Sequence, residues 1–460
     1  VPGTVDGTHS SSRSAGREMN FTRKVSSSYK HNSMLIKLGV SVLILGLACR
    51  ALFYGASPVV ETPILQQDAL VSERTSTPEQ EFHVTDRPPL SVNDRRPEQS
   101  PSPFEASGSS DKCNVFAGDW IPKPSGPGYT NESCHLIESH QNCMTNGRPD
   151  SKFLYWRWKP KDCELPAFDA EKFLKLMKNK AWALIGDSIS RNHVQSLLCL
   201  LSKVENPVET YHDEEYRSKR WHFPVHNFTV SVIWSPLLVK AAIFENFDGI
   251  STSEIQLHLD KLDGTWTDQY SNSDYIIIST GKWFLKNAIY YEGGEIMGCH
   301  NCKGKNYTDL GFDYAYRKAL QSVFSFIRSS NHRGIIFFRT SSPDHFENGE
   351  WSSGGTCTRT KPVKEGEIKL KDLNRILLDI ELEEFAKATG SVSTNGTDLR
   401  LLDFTHLLLT RPDGHPGPYR QFYPFAKDSN AKVQNDCLHW CLPGPIDAWN
   451  DLIMEIIING

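Results

Sequence analysis

Residues Ala181-Trp-Ala-Leu-Ile-Gly-Asp-Ser-Ile-Ser-Arg-Asn-His-Val-Gln-Ser-Leu-Leu-Cys-Leu-Leu201 constrain the fold more than any other stretch of the chain. Ala181 to Ile185 is a short apolar run of the kind a buried parallel strand needs. Gly186-Asp187-Ser188 breaks it, and Val194, Leu197, Leu198 and Leu201 then recur at helical spacing. A strand therefore feeds a helix through a tight turn. The turn puts the Ser188 hydroxyl at a helix N-terminus, where free N–H groups and the positive dipole end favour negative charge. An acyl-transfer nucleophile gains most there, because its tetrahedral intermediate carries an oxyanion. Taken alone, Ser188 serves equally well as an N-cap.

A serine nucleophile needs a base, and the base needs an orienting acid. Asn435-Asp-Cys-Leu-His-Trp-Cys-Leu-Pro-Gly444 supplies both, with Asp436 and His439 three apart so that one turn of backbone brings them to one side. A lone Asp-x-x-His is equally compatible with a surface pair beside a disulfide. Gly-Asp-Ser early and Asp-x-x-His late in an α/β pattern resemble the GDSL/SGNH-type esterases. Gly186-Asp-Ser-Ile-Ser-Arg-Asn192, Asp344-His-Phe-Glu-Asn-Gly-Glu-Trp351 and Asp436-Cys-Leu-His-Trp-Cys-Leu-Pro-Gly444 narrow the likeness. They resemble the plant trichome-birefringence-like family of polysaccharide O-acetyltransferases, over about Asp111 to the C-terminus.

Along the chain, 1–37 reads as a cytosolic tail, within which Val1–Glu18 looks like translated upstream sequence before a start at Met19 or Met34. Residues 38–56 are predominantly apolar, though Arg50 sits near the far end, and follow Arg13, Arg17, Arg23, Lys24, Lys30 and Lys37. That pattern reads as a single transmembrane signal anchor with its N-terminus in the cytosol, in preference to a cleaved signal peptide or a buried core helix. Residues 57–110, rich in Pro, Ser, Glu, Gln and Thr, read as a disordered linker. Residues 111–166 read as a small cysteine-rich subdomain whose rings, Trp120, Tyr155, Trp156 and Trp158, serve mainly as packing core. Residues 167–460 read as the catalytic domain. The net charge of −5 argues against a nucleic-acid binder.

Beyond Cys49 the cysteines form an even set, which predicts disulfides in an oxidising lumen. The sequons at Asn131, Asn227, Asn306 and Asn395 agree with that compartment, whereas Asn20 faces the cytosol. By resemblance, Cys113 pairs with Cys163 and Cys134 with Cys199, and Cys357 joins the Cys437/Cys441 segment. Cys299-His-Asn-Cys302 invites a zinc reading, but no second Cys/His pair at structural-zinc spacing accompanies it, so no metal is expected.

Alternation of helix and strand begins at Ala170–Lys178 and continues through strands at 181–185, 228–234, 275–279, 335–338 and 399–404. Helices are expected at 311–328, 365–388 and 446–458. This predicts a parallel sheet covered on both faces, with ligands at the carboxyl ends of its strands. The resemblance implies a three-layer SGNH-hydrolase-like domain. Ser188 is then the nucleophile, His439 the general base and acid, and Asp436 its orienter. The N–H of Ser188 is the first oxyanion donor, and Gly281 resembles the second donor position of SGNH folds. Arg191 and Asn192 are expected to assist there, with Asp187 in the same turn; the competing reading pairs Arg191 with a carboxylate and hydrogen-bonds Asn192 to backbone.

His193, within the helix, should point elsewhere. Asp413-Gly-His415 is a rival acid/His pair, assigned to shaping the site or binding sugar. His345, His415, Trp283 and Trp440 are the candidates for an acceptor groove. The resemblance implies acetyl transfer to a wall hemicellulose, xyloglucan or mannan before xylan, by a single-pass type II protein of the Golgi membrane. An acetyl donor is required, and whether acetyl-CoA is the direct one stays open. Two other readings compete, a polysaccharide acetyl-esterase and a non-catalytic wall-polysaccharide binder.

Overall fold

The computed structural model describes residues 113–244, 251–390 and 397–459. The expected tail, anchor and linker, together with Asn20, Cys49 and Asn395, lie outside them. No helix among the described residues is long and apolar enough to cross a membrane.

The N-terminal segment pairs β1 (Gly118–Pro122) antiparallel with β2 (Trp156–Pro160), placing Trp120 opposite Trp158. Their rings meet edge-on at 5.7 Å. Both indole N–H groups are satisfied by carbonyls, Trp158 by Val115 and Trp120 by Leu407. These two aromatics are packing, since Trp158 is buried and Trp120 packs against the same apolar cluster. That cluster also holds Leu184 and Leu197, so the cysteine-rich segment shares the core of the residues that follow.

Next come α1 (Ala170–Leu176), capped by the Asp169 side chain, β3 (Ala181–Gly186) and α2 (Ser188–Leu201). Three strands follow, β4 (Val208–His212), β5 (Lys219–Phe223) and β6 (Phe228–Trp234). β7 (Val239–Ala242), β8 (Ile255–Leu262), α3 (Gly264–Tyr270) and β9 (Tyr275–Ser279) complete the middle of the chain. β10 (Ala288–Glu292) and β11 (Glu295–His300) form a hairpin ahead of α4 (Gly311–Ser329) and β12 (Ile335–Arg339). The last elements are α5 (Asp372–Gly390), β13 (Asp398–Leu402), α6 (Thr405–Leu409) and α7 (Ala448–Asn459).

The main sheet runs β13-β12-β9-β3-β6-β5-β4. Neighbours from β13 to β6 are parallel, but β5 is antiparallel to β6 and β4 to β5. The expectation of a parallel sheet is corrected at this edge. Only Pro224–Asn227 separates β5 from β6, and a link that short turns a strand back rather than crossing over. A separate four-stranded sheet, β11-β10-β8-β7, departs from the single sheet the sequence predicts and packs through Leu257, Leu259 and Tyr290.

Side chains on the central strands alternate between two cores, as a pleated strand requires. Trp182, Leu184 and Phe337 face one cluster with Val194 and Leu198 of α2 and Leu452 of α7. Ala183, Ile185, Ile276 and Phe338 face the other, with Leu320 and Val323 of α4 and Ile380 of α5. Helices on both faces of a sheet make a three-layer α/β/α domain. The expected helix over 365–388 begins only at Asp372, with Gly366 at φ +85° in the turn ahead of it.

Strand order places β3 and β9 side by side although β6 intervenes in sequence. After β3 the chain moves to one side, and after β6 it returns to the other. The carboxyl ends of β3 and β9 therefore flank the crevice where such sheets bind ligands.

Candidate active site

The nucleophile turn is built by two constraints at the end of β3. Gly186 has φ +150°, and a Cβ there would lie 2.0 Å from the Ser279 carbonyl oxygen on β9. Only glycine fits. Asp187, rather than Ser188, is the N-cap of α2: its carboxylate accepts the Ile189 N–H at 2.9 Å. Ser188 is thereby left as the first helical residue, its hydroxyl directed outward and its N–H without an intrahelical acceptor.

Ser188 Oγ lies 2.7 Å from Nε2 of His439, and His439 Nδ1 lies 2.8 Å from Asp436 Oδ2. Asp436 Oδ1 accepts the N–H groups of Leu438 at 3.1 Å and His439 at 2.9 Å. The acid thus orients its histidine through both side chain and main chain. Asp436 is fully buried, which by itself would raise its carboxyl. The His439 charge and these hydrogen bonds outweigh burial and hold it well below the usual carboxylate range. With Asp436 ionised, Nδ1 keeps its proton and Nε2 is free to receive the serine proton. The ring of His140 meets His439 edge-on at 6.2 Å, and burial, then His439 itself, lowers His140 to about 4. A neutral ring beside the base does not compete for its proton.

Gly281 follows β9 across the crevice, at φ +148° and with Ser341 so close that a Cβ would stand 2.7 Å from that residue's own. Arg191 and Trp234 lie beside Ser188 in a groove of about 1810 Å³ that also takes in Trp283, Trp351 and His439. The Arg191 guanidinium sits 4.9 Å over the Trp234 ring, and Trp234 meets Trp283 edge-on at 5.5 Å. Burial lowers the Arg191 pKa from the usual arginine value. The groove exceeds a small-molecule pocket of roughly 300–1,000 Å³ and has room for an extended ligand.

Other sequence candidates lie beneath this surface. Both amide atoms of Asn192 are used by the main chain of Trp440, whose N–H reaches Oδ1 at 2.7 Å while Nδ2 donates to its carbonyl at 3.2 Å. That geometry makes Asn192 a clamp on the catalytic loop and turns it away from the oxyanion position. Trp440 is fully buried, its indole N–H donating to Ser342 Oγ at 3.1 Å, so it does not line the groove. His345 is also buried and bonds His415 rather than facing a ligand. Asp413 is held by Arg411 at 2.8 Å, so Asp413 and His415 form no acid/His pair, although His415, only 4% exposed, does contribute to the groove lining. His193 points to Asn450 and Arg339. Trp283 does reach the groove.

Five disulfides form among the described residues. Cys113–Cys163, Cys134–Cys199 and Cys357–Cys437 join the segments expected. Cys143–Cys441 ties the N-terminal segment to the catalytic loop, and Cys299–Cys302 closes on itself. Among the described residues, no group of three His, Cys, Asp or Glu is arranged to hold a metal ion.

Residues 165–456 match the GDSL/SGNH-like acyl-esterase family found in Pmr5 and Cas1p, and residues 111–164 match the PMR5 N-terminal domain. The chain belongs to the GDSL/SGNH-like acyl-esterase family. It is similar to Protein trichome birefringence-like 24 of Arabidopsis thaliana, 63% identical over 76% of this chain and 82% of that protein. Protein trichome birefringence-like 25 of the same plant is 51% identical over 94% of both chains. Xyloglucan O-acetyltransferase 1 of Populus trichocarpa is 44% identical over 78% of this chain and 83% of its own.

In this chain, several residues around the site carry no signal in the sequence. Arg148 stacks on Phe153 at 4.0 Å and donates to the carbonyls of His415 at 2.9 Å and Asp413 at 2.7 Å, pinning the N-terminal segment under the catalytic loop. Arg339, fully buried at the end of β12, reaches Ser190 and lies 4.5 Å over Trp449, supporting the nucleophile turn from below. A lone arginine in a polar stretch or at a strand end looks like a solvated charge. Trp351 stands within a motif noted above, but only the fold brings its ring to 6.5 Å from His439.

Proposed function

We propose that this protein transfers an acetyl group from an acyl donor to a hydroxyl of a plant hemicellulose, xyloglucan or mannan, through a serine acetyl-enzyme. The observation that carries the reading is the continuous Ser188–His439–Asp436 hydrogen-bond chain opening into a tryptophan-rimmed groove. Ser188 Oγ attacks the donor carbonyl while its proton passes to His439 Nε2. The N–H groups of Ser188 and Gly281 receive the oxyanion, a contribution of roughly 10²–10³ in rate per donor. The leaving group departs with the His439 proton, leaving the acetyl ester on Ser188. An acceptor hydroxyl then gives its proton to His439 and attacks the ester, and His439 returns the proton to Ser188. Asp436 stays ionised throughout, offsetting the imidazolium that forms twice per cycle.

Support for the acceptor comes from the kinship with xyloglucan O-acetyltransferases and from the tryptophans, whose faces suit sugar rings. For location we propose a type II Golgi membrane protein anchored by residues 38–56, with its catalytic part in the lumen. The apolar run behind a basic tail supports this, as do five disulfides, which persist in oxidising compartments.

The test incubates the protein with acetyl-CoA and deacetylated xyloglucan, mannan or xylan oligosaccharides and reads product mass, with Ser188→Ala alongside. A product heavier by one acetyl group, absent with Ser188→Ala, supports transfer and names the acceptor. Acetyl loss from acetylated glycan would make the protein an esterase. Glycan binding without turnover, unchanged in Ser188→Ala, would overturn the mechanism.

A further inference from the structure

Beneath the catalytic loop two imidazoles form a continuous chain between two main-chain carbonyls. His345 Nε2 lies 3.0 Å from the Leu409 oxygen, and His345 Nδ1 lies 2.7 Å from His415 Nε2. His415 Nδ1 completes the chain, 2.7 Å from the carbonyl oxygen of His439. A carbonyl oxygen only accepts, so each outer ring nitrogen must carry a proton. The central contact then needs a third proton between two nitrogens. Two neutral imidazoles bring only two. With both rings neutral, one of these three contacts would oppose lone pair to lone pair inside the protein.

We propose that His345 and His415 share one additional proton, an imidazole–imidazolium pair that fixes the main-chain carbonyl of His439 and so aims the catalytic base. The proposal rests on the triad reading and adds a positioning device to it. Trp440 supplies an independent observation: its indole stacks on the His415 ring at 4.1 Å and 29°. An aromatic face so placed favours a cation. Trp440 is in turn clamped by Asn192 on the nucleophile helix, so the pair and Ser188 are held by one continuous set of contacts.

Charged groups face the pair from each element packed on it. Asp344 neighbours His345 and is shared by Lys282 at 2.6 Å and Lys371 at 2.8 Å. Asp413 comes from the preceding turn, bound to Arg411. Arg148 donates to the His415 carbonyl, and Asp436 with His439 lies above. Asp344, Asp413 and Asp436 favour the proton, while Lys371 opposes it. Burial opposes it most, pulling both rings below the ordinary histidine value and His415 to about 3, His345 adding to that effect. The short nitrogen–nitrogen contact works the other way, because the departing proton leaves two buried lone pairs face to face. The charged pair is the low-pH form. Activity therefore falls as rising pH removes the shared proton.

The test uses the full chain carrying 15N-labelled histidine, with His345 and His415 assigned by their loss in His345→Gln and His415→Asn. At neutral pH, three of the four ring nitrogens are expected to be protonated. Two protonated nitrogens at neutral pH overturn the proposal. That count needs no turnover, so it stands or falls apart from the acetyltransferase reading, which fails separately if no acetyl group moves. Kinetics supply the second arm. His415→Leu is expected to lower kcat by up to roughly 10²-fold, as a misaimed base does, with KM little changed. His415→Asn restores a donor towards the His439 carbonyl and no charge, so it should recover most of that kcat while losing the alkaline limb. An alkaline limb identical in His415→Asn and the unaltered protein overturns the role assigned to the pair.

Discussion

Asn192 and Trp440 are joined by two hydrogen bonds between one side-chain amide and one peptide group, at 2.7 and 3.2 Å. Asn192 lies one helical turn from Ser188, and Trp440 directly follows His439. The distance between nucleophile and base is therefore set by a contact that touches neither.

Asn192→Ala leaves the Trp440 N–H and carbonyl buried without partners. We expect a stability loss of roughly 2–4 kcal/mol, read as a lower denaturation midpoint. We also expect kcat to fall more than KM rises. An unchanged midpoint would remove Asn192 from this role.

Gly186 and Gly281 should separate folding from catalysis. Gly186→Ala drives a Cβ into a backbone oxygen on β9, and little folded protein is expected. Gly281→Ala, though strained at φ +148°, meets side-chain atoms of Ser341 and Glu381 rather than a backbone oxygen, so the protein should fold with its amide displaced. A loss in kcat of about 10²-fold, with KM near normal, is the expected reading for a lost oxyanion donor. Full activity in Gly281→Ala would place the second donor elsewhere.

Glu381 gives a pH dependence of stability. It is fully buried, and burial raises its carboxyl to about 8 despite hydrogen bonds from Tyr316 and Ser341. Its folded value lies above the unfolded one, so the folded state holds the proton more tightly. The stabilisation is complete below the ordinary glutamate range and is lost as pH rises towards 8. Thermal melts should show the midpoint falling over that window, less steeply in Glu381→Gln. Parallel curves for the two proteins would rule the effect out.

Trp351, at 37% exposure, offers its ring to the groove above His439. Trp351→Ala should raise KM for an oligosaccharide acceptor by about 3–10-fold, more than it lowers kcat. Competition binding of the same oligosaccharide would show whether the change lies in affinity. Equal affinity would exclude stacking at this residue.

Much of this protein is readable from its residues alone. The apolar run at 181–185 and the helical recurrence after it specify a buried strand and an amphipathic helix, because periodicity reports which faces meet the core. Gly186-Asp187-Ser188 marks the turn between them, and three-residue spacing places Asp436 and His439 on one side of their loop. These are local properties, encoded within a few residues. The antiparallel edge, the second sheet, the burial of Trp440 and the pairing of His345 with His415 depend on segments tens to hundreds of residues apart. So do Arg148 and Arg339, whose charges are anchored by partners that no neighbouring residue announces. Asn192 shows the difference most directly. Its place one turn from the nucleophile suggested a ligand for the reacting oxygen, and only the packed loop revealed that its amide holds the catalytic histidine's neighbour instead.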